Sequence, residues 1–121
     1  MVTGTLIAES LRVGAELDSV PLRVKRIWRA DVGSPPAGQP NVWTLLYFEA
    51  DDDRAELLGE SLAAALDEGP WYVDFTTADE TFVVFAGKVF SYPRGDEAGR
   101  SAAAGHAASI GIPEDQLDWA P

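Results

Sequence analysis

A chain of 121 residues with 46% hydrophobic and 24% charged side chains has the size and composition of one soluble domain with a single core. It has no cysteine and one histidine, His106, which excludes disulfides, thiolate chemistry and metal sites built from cysteine or histidine clusters. A formal charge of −11 opposes nucleic acid and anionic membranes as partners, and points instead to a protein with a basic surface.

The opening "MVTGTLIAESLRVGAELD" lacks a basic start followed by a long apolar run, and no later segment has the apolar length of a membrane span. The expectation is a cytoplasmic protein. Within that opening, "TLIAESL" (Thr5 to Leu11) has strand-like composition and leads to a turn around Gly14. "VPLRVKRIWRADV" alternates from Leu22, with Leu22, Val24 and Trp28 on one face and Arg23, Lys25 and Arg29 mostly on the other. Period two predicts a half-buried strand.

"GSPPAGQPN" (33–41) is a loop, because Pro35 and Pro36 cannot donate to a ladder. "VWTLLYFE" is apolar on both faces and predicts an interior strand. The period then changes. "DDDRAELLGESLAAALDEG" places Ala55, Leu58, Leu62, Ala65 and Leu66 on one helical stripe, with Asp51 or Asp52 as cap and Gly69 and Pro70 as terminators.

"WYVDFTTADETFVVFAGKVFSY" predicts a hairpin and a third strand. A turn at Thr77 to Glu80 sets Phe75 opposite Phe82, Val73 opposite Val84, Asp74 opposite Val83 and Tyr72 opposite Phe85. A second helix, rich in alanine, glycine and serine, is capped by Asp96 and ended by Gly111. The tail forms a short helical turn that returns Leu117 and Trp119 to the body.

The order is therefore βββαβββα. It predicts a single α+β domain over residues 1–121: a two-layer sandwich, with a mainly antiparallel sheet of five to six strands and two helices on one face. The stretches "WYVDF", "ETFVVFAGKVFSYPRGD" and "GIPEDQLDW" are similar to small single-domain proteins of high-GC bacteria to which no function is attached. The resemblance implies no activity, ligand or site residue.

Chemistry-bearing motifs are sparse. No G-x-G-x-x-G or Walker A loop is present, and no cofactor is expected. "DDD" at 51–53 lacks the alternating spacing of a calcium loop. "RGD" at 94–96 reads as a turn and helix cap. His106 has no serine and acid placed beside it in a triad pattern, and in a small-residue helix it should point to solvent. Asp74, within "WYVDF", is expected to pair with a basic residue of Arg23 to Arg29, the segment that holds four of the nine cations. Most of the four tryptophans should be core.

Two readings of function follow. The first is a non-catalytic acidic binding domain that engages a protein partner, or itself as a homodimer through an open sheet face carrying Tyr72 and Phe85. Its acidic helix face, with Glu56 and Glu60 one turn apart, would meet a basic patch. The second is a small-molecule-binding protein or modest hydrolase, with a pocket near Asp74, Tyr72 and the loop 33–41.

Overall fold

The computed structural model describes residues 1–35, 38–117 and 119. The elements run β1 (Val2–Ile7), β2 (Arg23–Asp31), β3 (Val42–Ala50), α1 (Ala55–Ala65), β4 (Val73–Thr76), β5 (Glu80–Phe85), β6 (Lys88–Pro93) and α2 (Glu97–Ser109). Short 3₁₀ turns lie at Ala8–Ser10, Asp52–Arg54 and Glu114–Gln116. The six strands form one open sheet in the order β2-β3-β1-β4-β5-β6, every pair antiparallel. The α+β class, the antiparallel sheet and the βββαβββα order are those the sequence implies.

The layering is different. The two helices lie on opposite faces of the sheet, not on one. Alternate residues of β5 separate them: Phe82 and Val84 join Leu58 and Leu62 of α1, whereas Val83 and Phe85 join Ala103 and Ala107 of α2. β5 is thus buried on both faces, and five of its six positions are closed to solvent. A continuous apolar run in an antiparallel sheet has this physical meaning.

Each helix docks for a local reason. α1 buries Ala55, Leu58, Gly59, Leu62 and Ala65; Leu66 of the predicted stripe is also buried but lies just past the helix as its extended C-cap. No side chain caps its start; Asp51 instead reaches Arg23 at 3.5 Å, and a 3₁₀ turn feeds the helix. α2 is capped as expected, the Asp96 carboxylate accepting from the N–H groups of Ala98 and Gly99. It approaches β6 so closely that a Cβ on Gly99 would lie 2.4 Å from Tyr92 Cβ. Small residues there bring the helix backbone onto the sheet.

The hairpin register is the predicted one. Val73 pairs with Val84, Asp74 with Val83, Phe75 with Phe82 and Thr76 with Thr81. The Phe75 and Phe82 rings stack at 4.7 Å, and the turn closes through Thr77 N–H to the Glu80 carbonyl at 2.9 Å.

β2 departs from its predicted alternation. A bulge between Val24 and Arg26 sets Val24 and Ile27 opposite Phe48 and Leu46, and sends Arg26 and Trp28 to the other face, opposite Tyr47 and Leu45. Nor is the strand half-buried. It lies at the sheet edge beyond both helices, and only Ala30 is closed to solvent. Of the four tryptophans, Trp71 and Trp119 are buried, Trp43 is half-buried and Trp28 is 47% exposed.

Candidate binding site

α2 covers β5 and β6 and leaves the same face of β1 and β3 bare. On that bare half-face β3 presents Trp43 and Leu45, and β1 presents Thr5 and Ile7. The segment after α2 folds back over β4, and the Tyr72 hydroxyl donates to the Gln116 carbonyl there. Between these parts lies a cavity of about 420 Å³. Trp43, Trp71 and Tyr72 wall it, Ile7 and Leu45 floor it, and Asp74 and Asp115 bring carboxylates to it.

The loop 33–41 supports this cavity from behind. Gln39 Nε2 donates to the Pro70 carbonyl at 2.8 Å, and the Trp43 indole donates to the Pro40 carbonyl at 2.9 Å. Trp43 and Trp71 consequently meet with ring centroids 5.4 Å apart and planes tilted by 57°. Pro36 and Ala37 of that loop lie outside the described residues.

The structure brings Tyr72 and Asp74 together on this cavity, and the other three residues singled out in the sequence do not line it, although the Phe85 ring lies 6.4 Å from that of Tyr72. Phe85 is fully buried under α2, against His106 at 4.6 Å, so it does not project from a bare face. With helices on both sides, no face opposite both exists to serve a dimer. Glu56 and Glu60 are exposed on α1. Glu56 borders a different, acidic cavity of about 330 Å³ with Asp52, Asp53, Asp79 and Glu80. Among the described residues no group of histidines or acids is placed to hold a metal.

Asp74 also lies away from the basic strand. β1 and β3 stand between β4 and β2, a separation of about 14 Å at ordinary strand spacing. The β2 cations meet other groups. Arg23 pairs with Asp51, and Lys25 with Glu49 at 3.8 Å. Arg26 lies over Trp28 and Tyr47, 5.3 and 4.8 Å from the ring centroids. Arg29 donates to Thr44 Oγ1 at 3.0 Å. The acidic charge of Asp74 is felt by Tyr92, whose phenol is pushed up by burial first and by Asp74 among lesser causes.

Sequence reasoning missed Glu9. β1 pairs with β3 only as far as Ile7 opposite Leu45. The chain then turns away, and the Glu9 carboxylate takes the place of the missing strand partner. It accepts from Thr44 N–H and, at 2.8 Å, from the Thr44 hydroxyl. Burial pushes its pKa up, but the Thr44 hydrogen bonds and Arg29 outweigh this and hold it below the ordinary carboxylate value. No local pattern marks such a residue, since its partner is distant in sequence.

His106 sits against Phe85 and Phe90 on the α2 face of the sheet. Burial, and secondarily Lys88, lowers its pKa. It is half-buried rather than directed wholly to solvent, and it does not line the aromatic cavity.

No helix among the described residues is long and apolar enough to cross a membrane. No protein family, curated protein or solved structure matches the chain.

Proposed function

We propose that this chain is a non-catalytic binding domain that engages a protein partner at the β2 edge, by taking up an extended acidic segment of that partner as a further strand. One observation carries the reading: a nine-residue edge strand, exposed at every position except Ala30, gathers four of the nine cations of a chain whose net charge is −11. The other edge differs. β6 has six residues, ends in Pro93 and is contacted by both helices.

An added strand would hydrogen-bond to the outward N–H and C=O groups of β2 and take its specificity from alternate side chains. Val24, Ile27 and Trp28 are large, apolar and at least 47% exposed, so both faces of the edge offer anchors. Whole-chain charge points to a basic partner, but β2 itself carries four cations against one acid, Asp31, and two of them, Arg26 and Arg29, are in no salt bridge among the described residues. A second copy of β2 would set cations against cations, and such charges and bulges are the usual protection of an edge against its own copies.

The test is an amide chemical-shift titration with a ten-residue peptide alternating glutamate and valine, against its lysine counterpart. Shifts confined to residues 23–31, weaker at high salt and lost in an Arg26→Glu, Arg29→Glu variant, are expected. Equal response to both peptides, or sedimentation showing a dimer that Arg26→Glu, Arg29→Glu dissociates, would overturn it.

A further inference from the structure

The aromatic cavity has a chemistry of its own, and it lies on β1, β3 and β4 rather than on β2. The geometry points to a binding site for an organic ammonium ion: a small amine, or quaternary ammonium compound, held between Trp43, Trp71 and Tyr72 with its charge toward Asp74 and Asp115.

The composition of the lining selects the class. Among the described residues that line it, three are large aromatics and two are carboxylates, and none is lysine or arginine. Aromatic faces carry negative potential, so they and the carboxylates attract the same kind of group. An anionic ligand would meet two like charges. A neutral apolar ligand would displace water from the carboxylates without replacing its hydrogen bonds. An alkylammonium satisfies both requirements, its charge toward the acids and its polarised C–H groups on the rings. A hydrated metal ion lacks the apolar surface that Ile7 and Leu45 would cover.

Size and rigidity agree with this. About 420 Å³ is in the range of small-ligand pockets. The walls are set before any ligand arrives: Trp43 is held by the Pro40 carbonyl, the chain at Pro70 is held by Gln39, and Tyr72 is held by the Gln116 carbonyl. Tyr72 also lies edge-on to Trp119 at 4.9 Å, which fixes its ring. A pre-formed aromatic wall loses little freedom on binding.

The experiment is a titration of ¹⁵N-labelled protein with choline and with benzyltrimethylammonium, each compared with 3,3-dimethylbutanol, the uncharged isostere of choline. Saturable shifts of the Trp43 and Trp71 indole N–H signals are expected at millimolar cation, with the alcohol binding about tenfold more weakly or less. Asp74→Asn should weaken the cations severalfold and leave the alcohol unchanged. Asp115→Asn, at an exposed position outside the sheet, should do the same without any burden on folding. Equal binding of the alcohol, cation binding indifferent to both substitutions, or shifts confined to the acidic surface near Asp52 and Asp79 would each overturn the assignment. So would an absence of saturation by either cation. The β2 variant Arg26→Glu, Arg29→Glu should retain ammonium binding, so the two proposals fail separately.

Discussion

β5 carries large apolar residues at four of six positions and β2 at three of nine, and β5 is closed to solvent at five positions whereas β2 is closed at Ala30 alone. The difference is one of place. β5 lies between α1 and α2, and each of its alternating faces finds a helix, whereas β2 lies outside the reach of both. β1, β3, β4 and β5 carry the core against α1, and β5 with Tyr92 of β6 carries the core against α2. The far edge is covered on neither side and keeps its cations and Trp28 in solvent. The exposure of Val24, Ile27 and Trp28 follows the span of the helices and not the hydropathy of those side chains.

Paired truncations give the widest contrast between these regions. Phe85→Ala should cost about 3–5 kcal/mol by emptying a site enclosed by Phe90, His106 and Trp119. Trp28→Ala should cost less than about 0.5 kcal/mol. Urea denaturation of both measures the difference, and a Trp28→Ala cost near that of Phe85→Ala would break the comparison.

A finer contrast lies within α2. Gly99→Ala should destabilise by about 1–3 kcal/mol, since the new methyl meets Tyr92. Gly105, with nothing within 4 Å of its added Cβ, should respond oppositely, with Gly105→Ala stabilising by about 0.5–1 kcal/mol through helix propensity. Thermal melts of the pair test whether close docking on β6 holds the helix. Two changes of the same sign would deny it.

The smallest expected effect concerns the uncovered side. The folded pKa of Glu9 lies below its ordinary value of 4.5. Its contribution is therefore complete above that value and is lost as pH falls through the folded pKa. Glu9→Gln should leave stability less dependent on pH in that acid window, with melting temperature against pH as the measurement. An unchanged pH profile would mean that the Thr44 contacts do not differ between the two protonation states.

Local information made much of this fold legible. The β4–β5 register follows from the turn Thr77 to Glu80, the α1 stripe from its 3.6-residue period, and the α2 start from Asp96. What the sequence did not reveal depends on contacts between distant segments. α2 has no strong apolar stripe to aim it, so its face of the sheet is decided by Val83, Phe85 and the Gly99–Tyr92 approach. The run "TFVVF" fits a strand covered on both sides, but "VWTLLYFE" is as apolar and has one face bare of a helix, so the pattern alone does not fix the layering. The expected partner of Asp74 failed for a related reason: neighbours in the sheet are set by strand order, and β1 inserts between β4 and β3. Tyr72 and Asp74 were recognisable as neighbours on one face. Trp43, Leu45 and Asp115 come to the same cavity from separate elements, and no spacing announces them.

β1 itself has a consequence for how the molecule assembles. β2 and β3 form one sequence-local hairpin, and β4, β5 and β6 form a meander with short turns, so each group closes early at small entropic cost. Among the described residues the two groups are linked in the sheet through β1, which is antiparallel to β3 on one side and to β4 on the other. The earliest of these six strands in the sequence is thus the last able to find both neighbours, and Val2 and Leu6 stay without their core until it does. Leu6→Ala should then accelerate unfolding more than it slows refolding, while Val84→Ala should slow refolding, a difference that stopped-flow kinetics resolves.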